Sequence, residues 1–177
     1  MPSFQDFYFQ SSTGRTSIHA LKCVPDSKPR AVVQIAHGIA EHIDRYRPFM
    51  EFLADNGFVA AGNDHLGHGK SIRVPEEQGF FAEKDGWWRV VDDMDKLHDI
   101  MSNEYPELPY VLFGHSMGSF LTRTYLIKHP DKYDGVILSG TGHQSPALVL
   151  GGNAAASVMA KLNGAMGDGA KLDSLAF

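Results

Sequence analysis

Short, nearly continuous apolar runs recur along the chain and are separated by polar, glycine-rich stretches. Runs of this length predict strands that are buried on both faces of a sheet. They are found at residues 31–36, 58–61, 110–113 and 135–138. Before them, segments of mixed polarity at residues 4–10 and 17–24 predict a hairpin around a turn at residues 11–14.

Longer segments with apolar residues at helical spacing lie between these runs. Residues 45–56, 85–101 and 116–129 each predict a helix, the first ended by Asn56-Gly57 and the last by Pro130. Strands that alternate with helices of this length predict a mostly parallel sheet covered by helices on both faces. The hairpin is expected to lie antiparallel at one edge, which gives an α/β fold.

The pattern changes from residue 145 onward. Residues 146–162 are rich in Ala, Leu, Val and Met and predict a helix broken at Gly151-Gly152. Its apolar side chains could face a lipid surface or pack into a core, and the sequence leaves both interpretations open. The chain is therefore divided into residues 1–144, which form a core, and residues 145–177.

Composition narrows the classes of function. A net charge of −5 over 177 residues gives no basic footprint for nucleic acid. Cys23 is the only cysteine, which excludes an intrachain disulfide and favours a reducing compartment. Residues 1–10 lack the pattern of a signal peptide, and no apolar run of about 18 residues occurs. We expect a cytoplasmic protein, with peripheral contact to a membrane as the alternative.

The motif that carries chemistry is Gly-x-Ser-x-Gly at Gly114, Ser116 and Gly118. It follows one predicted strand and opens a predicted helix, which is the context of a nucleophile elbow. Such a tight turn strains the backbone of the serine and lifts its hydroxyl above the sheet, at the positive end of a helix. Ser116 is therefore the candidate nucleophile, and Gly114 and Gly118 are the glycines that the turn requires.

A serine hydroxyl needs a base, and the oxyanion that forms on the substrate needs hydrogen-bond donors. In this architecture one donor is the N–H of the residue after the nucleophile, here Met117. The other comes from the loop after an earlier strand, and His37-Gly38-Ile39 follows the predicted strand 31–36. We predict the N–H of Ile39 as the second donor, with His37 shaping this loop or lining the pocket.

Motifs at residues 37–42, 45–46, 64–71 and 114–118 occur together in a fixed order. In order and spacing they resemble the monoacylglycerol lipase and lysophospholipase group of α/β-hydrolases. The resemblance covers residues 5–140, and residues 171–177 resemble a segment of the cap of that group. It implies the α/β-hydrolase fold, truncated within the cap region, and hydrolysis of a carboxylic ester of a single-chain lipid through an acyl-enzyme on Ser116. It implies no metal and no organic cofactor.

The resemblance also implies that residues are missing. Members of the group supply an Asp and a His from loops after later core strands, which are absent here. His129 lies at the far end of the helix that Ser116 opens and cannot reach it, whereas His143 follows the strand 135–138 and could line the pocket. We expect weak or absent turnover by these 177 residues alone. The unfinished sheet edge after residues 135–138 also predicts self-association.

Alternative interpretations stay open at this point. A related fold member could run a thioesterase or peroxidase-like reaction, although residues 37–42 favour ester hydrolysis. A catalytically silent binding module would explain the missing acid and base. Zinc at Asp64, His65 and His68 has suitable ligand types, but the motif at residues 64–71 explains this loop without a metal. A phosphate-binding loop ending at Lys70 would need glycine at position 64.

Overall fold

The structure, a computed structural model, describes residues 1–163, and the cap-like segment 171–177 lies outside that part. Strands alternate with helices along it, as the hydrophobic pattern predicts. The strands are β1 (Ser3–Gln10), β2 (Ser17–Val24), β3 (Ala31–Ala36), β4 (Phe58–Asn63), β5 (Tyr110–His115) and β6 (Gly135–Ser139). The α-helices are α1 (Arg47–Asp55), α2 (Gly86–Glu104), α3 (Met117–Lys128) and α4 (Pro146–Asn163), with 3₁₀ turns at Ile43–Tyr46 and Pro75–Glu77.

All of these strands belong to one sheet, in the order β1-β2-β4-β3-β5-β6. The hairpin β1–β2 is antiparallel, and β2 also runs antiparallel to β4, with Ala20 opposite Asn63. The strands β4, β3, β5 and β6 are parallel to one another. The mostly parallel sheet with an antiparallel hairpin at its edge is therefore confirmed. The carboxyl ends of the parallel strands and the turn between β1 and β2 lie at the same end of the sheet, which is called the carboxyl edge below.

Helices cover both faces of the sheet, and alternate residues of each strand supply the two cores. On one face, Met50 and Ala54 of α1 pack against Ile35 and Ala60. On the other face, α2 and α3 bury a second set of apolar side chains against the strands. This set includes Val90, Val91, Met94, Leu112, Leu121 and Tyr125. Burial on both faces is the reason that the central strands have nearly continuous apolar sequences.

Two predicted helices differ from those observed. The predicted break at Gly151-Gly152 is wrong, because α4 runs continuously from Pro146 to Asn163. Glycine in a helix costs about 1 kcal/mol relative to alanine but leaves the backbone hydrogen bonds intact. The helix expected from residue 45 begins instead at Arg47, because residues Ile43–Tyr46 form the tighter 3₁₀ turn first.

Two compact units divide the chain, Met1–Thr141 and Gly142–Phe177. The first contains the sheet and α1 to α3. In the second, α4 exposes apolar side chains such as Leu150 and Leu162. No helix in residues 1–163 combines the length and the apolar character needed to cross a membrane. A lipid-facing role for α4 stays a prediction.

Strand β6 is the last strand of the sheet within the described residues. It pairs with β5 on one side, and the side chains of Ile137 and Leu138 are partly exposed. An apolar edge strand is a template for pairing with another chain. Self-association through this edge stays a prediction.

A buried histidine joins the hairpin to the loop after β4. His19 in β2 is fully buried, and its ring nitrogens lie 2.8 Å from a carboxylate oxygen of Asp64 and 2.7 Å from one of Asp6. Burial by itself lowers the pKa of His19, but the hydrogen bonds with both carboxylates outweigh it and raise the pKa above 6.5. The hydrogen bond with His19 likewise lowers the pKa of Asp6. The three groups therefore stabilise one another as ions.

This arrangement predicts a pH-dependent contribution to stability. Because the pKa of His19 is higher in the folded state than in the unfolded state, protonation of His19 stabilises the fold, and this contribution is complete below pH 6.5. The contribution disappears as the pH rises through the pKa of His19 in the folded state. His19→Gln should lower the free energy of unfolding by about 1.5–3 kcal/mol at acidic pH, and by less at alkaline pH. Urea unfolding of both proteins at several pH values measures this. The exposed His143→Gln is the control, and a difference that is constant with pH would contradict the prediction.

Candidate active site

Ser116 occupies the turn between β5 and α3. Its backbone has φ 50° and ψ −119°, a conformation that a residue with a side chain rarely adopts. Hydrogen bonds hold this strained backbone from both sides: Ser116 N–H donates to Ser139 O at 2.9 Å, and the hydroxyl of Ser119 donates to Ser116 O at 2.6 Å. The strained turn expected of a nucleophile elbow is therefore present at the predicted serine.

The glycines on either side of Ser116 allow two backbone segments to touch. A Cβ added at Gly118 would lie 2.0 Å from the carbonyl oxygen of Ala36, at the end of β3. A Cβ added at Gly114 would lie 2.4 Å from Oγ1 of Thr122 and 2.6 Å from the carbonyl oxygen of Gly118. No side chain fits at such distances. Glycine at both positions is thus what lets α3 begin directly against the neighbouring strand.

The loop after β3 passes beside Ser116. A Cβ added at Gly38 would lie 3.2 Å from Cβ of Ser116, so the backbone of this loop passes beside the serine. Glu41 braces the loop by accepting hydrogen bonds from the N–H of Gly38 and from the hydroxyl of Tyr46, the latter at 2.8 Å. Partial burial raises the pKa of Glu41, but these hydrogen bonds outweigh it and keep the pKa below its ordinary value.

Sequence reasoning assigned no role to Glu41 or Tyr46. The only available signal was their place in the motifs at residues 37–42 and 45–46, because a hydrogen bond between a side chain and a backbone leaves no periodicity in the sequence. Arg45 adds a weaker contact, with its guanidinium 3.5 Å from the other carboxylate oxygen of Glu41. These groups support the shape of the loop.

His37 is fully buried beneath the same loop. Its Nε2 accepts a hydrogen bond from the N–H of His65 at 3.0 Å, so its Nδ1 carries the proton that is donated to Gly38 O at 2.7 Å. Burial lowers the pKa of His37 to about 4, so the ring is neutral at physiological pH. His37 is therefore engaged in shaping the loop. His143 is exposed and belongs to the second compact unit.

The loop after β4 contains Asp64, His65 and His68, the residues whose types suit a zinc site. The carboxylate of Asp64 accepts hydrogen bonds from the N–H groups of Ile43 and Lys70 in addition to its contact with His19. The rings of His65 and His68 contact backbone carbonyl oxygens at 3.2 Å and 3.0 Å. The contacts of Asp64 with Ile43 and of His65 with His37 connect the loop after β4 to the loop after β3. The contacts of Lys70 and His68 hold the loop after β4 together.

A different cluster has the spacing of metal ligands. The ligand atoms of Asp95, His98 and Asp99 on α2 lie within 4.8 Å of one another. The ammonium group of Lys132 lies 2.5 Å from Asp95 and 2.9 Å from Asp99. One lysine thus neutralises half of the charge of the two carboxylates in this cluster.

Comparison with known proteins identifies the family. A family model described as serine aminopeptidase, S33 (Hydrolase_4), matches residues 27–174. The chain belongs to this α/β-hydrolase family. The α/β-hydrolase fold implied by the motifs is thereby confirmed.

Individual relatives are lipases and esterases by name. A monoacylglycerol lipase from Mycolicibacterium smegmatis is 36% identical over 143 residues, which cover 78% of this chain and 48% of that protein. A monoglyceride lipase from Rattus norvegicus is 29% identical over 114 residues, which cover 64% of this chain and 36% of that protein. The crystal structure of a thermostable carboxyl esterase from Bacillus coagulans, in complex with glycerol, is 34% identical with a TM-score of 0.85 over 97% of this chain.

The chain spans only part of the length of these relatives. It covers 48% of the M. smegmatis lipase and 55% of the B. coagulans esterase. It therefore corresponds to about half of each.

The contact of Gly118 with Ala36 can be tested by adding one methyl group. Gly118→Ala should lower the free energy of unfolding by about 3 kcal/mol or more, because the new Cβ meets a backbone carbonyl that cannot move independently. Gly151→Ala on α4 is the matched control, since a Cβ there meets nothing within 4 Å. Urea unfolding followed by near-UV circular dichroism measures both. Equal midpoints for the two variants would contradict the proposed contact.

Proposed function

We propose that the protein is a serine hydrolase that cleaves the carboxylic ester of a single-chain glycerolipid, with monoacylglycerol as the first candidate and lysophospholipid as the second. The observation that carries the proposal is the strained turn at Ser116, with φ 50°, placed between a strand and a helix and beside the loop of Gly38. The names of the relatives from M. smegmatis and R. norvegicus support the substrate class.

In the proposed reaction Oγ of Ser116 attacks the carbonyl carbon of the ester and loses its proton to a base. The glycerol oxygen leaves with a proton, and the acyl group stays on the serine as an ester. Water then attacks the acyl carbonyl and releases the fatty acid, which restores the hydroxyl of Ser116. No metal or organic cofactor takes part in this scheme.

The oxyanion of each intermediate is proposed to accept hydrogen bonds from Met117 N–H and Ile39 N–H. Met117 is the first residue of α3, where N–H groups lack partners within the helix. The N–H of Gly38 is engaged by Glu41, which makes the next N–H along the loop, that of Ile39, the better candidate. The loss of one such donor typically costs about 3–4 kcal/mol of transition-state stabilisation.

The histidine base and the acidic residue that would form a catalytic triad with Ser116 are not assigned among residues 1–163. His37 uses both ring nitrogens in the loop, and Nδ1 of His115 lies 3.4 Å from the hydroxyl of Ser139. His129 follows the far end of α3. We therefore expect the 177-residue chain by itself to hydrolyse esters slowly.

Covalent labelling tests the nucleophile independently of turnover. A fluorophosphonate probe should modify Ser116 at least about 100-fold faster than the exposed Ser27, because oxyanion donors accelerate attack even without a complete triad. Peptide mass spectrometry measures both sites. Ser116→Ala should abolish the adduct, whereas Ser27→Ala should leave it unchanged. Labelling of the two serines at similar rates would refute an activated Ser116 and favour a silent binding module.

A further inference from the structure

A cleft of about 300 Å³ opens on the first compact unit, and neither the Ser116 turn nor the loop at residues 37–39 lines it. Its walls come from the turn between β1 and β2, the loop after β4, the segment before α2 and the first turn of α2. The turn lies at the carboxyl edge of the sheet, because β2 runs antiparallel to β4. A volume of this size is at the small end of the range for ligand pockets.

The charge of this cleft is opposite to that of the whole chain. Arg15, Arg73, Lys84 and Arg89 line it together with Glu77 and Glu83, whereas the chain carries a net charge of −5. Arg73 forms an ion pair with Glu77 within the same wall. Within residues 1–163 no carboxylate forms an ion pair with the three remaining cations, Arg15, Lys84 and Arg89. The cleft thus keeps an excess of positive charge.

The wall that carries Arg15 and Arg89 is held in place by a buried carboxylate. Asp93 of α2 is fully buried and accepts hydrogen bonds from the hydroxyl of Ser11 at 2.8 Å and from the N–H of Ser12 at 2.5 Å. The hydroxyl of Ser12 in turn donates to the carbonyl oxygen of Arg89 at 3.0 Å. The turn and the helix are thereby fixed to each other. The backbone positions of Arg15 and Arg89 are therefore fixed relative to each other, which lowers the entropy cost of bringing both side chains to one anion.

We propose that this cleft binds a phosphate group, carried by a small phosphomonoester or by a lipid headgroup, with Arg15, Arg89 and Lys84 as its ligands. Two guanidinium groups and one ammonium group together offer many N–H donors. A carboxylate has only two oxygens to accept them, whereas a phosphate group has more oxygens and can accept hydrogen bonds from all three side chains. Leu66, Phe80 and Phe81 add an apolar wall for the organic part of the ligand.

Chemical-shift titration of the ¹⁵N-labelled full chain tests this, with inorganic phosphate and glycerol 3-phosphate as probes. Saturable shifts should appear at the backbone amides of Ser12, Thr13 and Gly67. The double variant Arg15→Gln/Arg89→Gln should weaken binding at least tenfold. The double variant Arg15→Lys/Arg89→Lys, which keeps the charge, should lose less. Circular dichroism checks that each variant is folded.

Arg30→Gln is the matched control, because it also removes a guanidinium charge. Arg30 precedes β3 and therefore lies at the amino ends of the parallel strands, away from the cleft. It should leave binding unchanged. Equal affinity for the two probes would assign the site to the phosphate group itself, and tighter binding of glycerol 3-phosphate would assign it to a lipid-derived headgroup. An absence of saturable shifts in the cleft, or equal weakening by Arg30→Gln and the double glutamine variant, would overturn the proposal.

Discussion

The site depends on one backbone contact, between the first turn of α3 and the end of β3. Gly118 approaches the carbonyl oxygen of Ala36 so closely that no Cβ fits between them. Because the helix begins there, Ser116 must complete the reversal from strand to helix in a single residue with positive φ. The strain is tolerated because hydrogen bonds from Ser119 and to Ser139 fix the turn on both sides.

The same contact brings the loop after β3 to the serine. Two kinds of buried group then hold that loop. Glu41 stays ionised because it accepts hydrogen bonds from Gly38 and Tyr46. His37 stays neutral because it is buried and because its two ring nitrogens serve as one donor and one acceptor. Together they fix the backbone at which the proposed oxyanion donor lies, and this is where electrostatic preorganisation would be required.

Asp64 extends this support to the edge of the sheet. Its carboxylate contacts Ile43, at the end of the loop after β3, and His19, which in turn contacts Asp6 on the edge strand. A chain of charge-assisted hydrogen bonds thus runs from the hairpin to the candidate active site. The cleft lined by Arg15 and Arg89 lies at the carboxyl ends of the parallel strands. The buried carboxylate of Asp93 supports one of its walls. Glu41 and Asp64 thus support the candidate active site, and Asp93 supports the cleft.

The sequence by itself determined the order of the elements and the position of Ser116. Burial on both faces makes a parallel strand apolar throughout, and a tight turn admits only glycine at positions such as Gly118, so both features leave a local pattern. The role of Glu41 and the excess of cations around Arg15 and Arg89 were decided only by the tertiary structure. Glu41 acts through a hydrogen bond to a backbone N–H, which leaves no pattern in the sequence. The wall that carries Arg15 and Arg89 depends on Ser12 and Asp93, which are distant in sequence and meet only once the chain has folded.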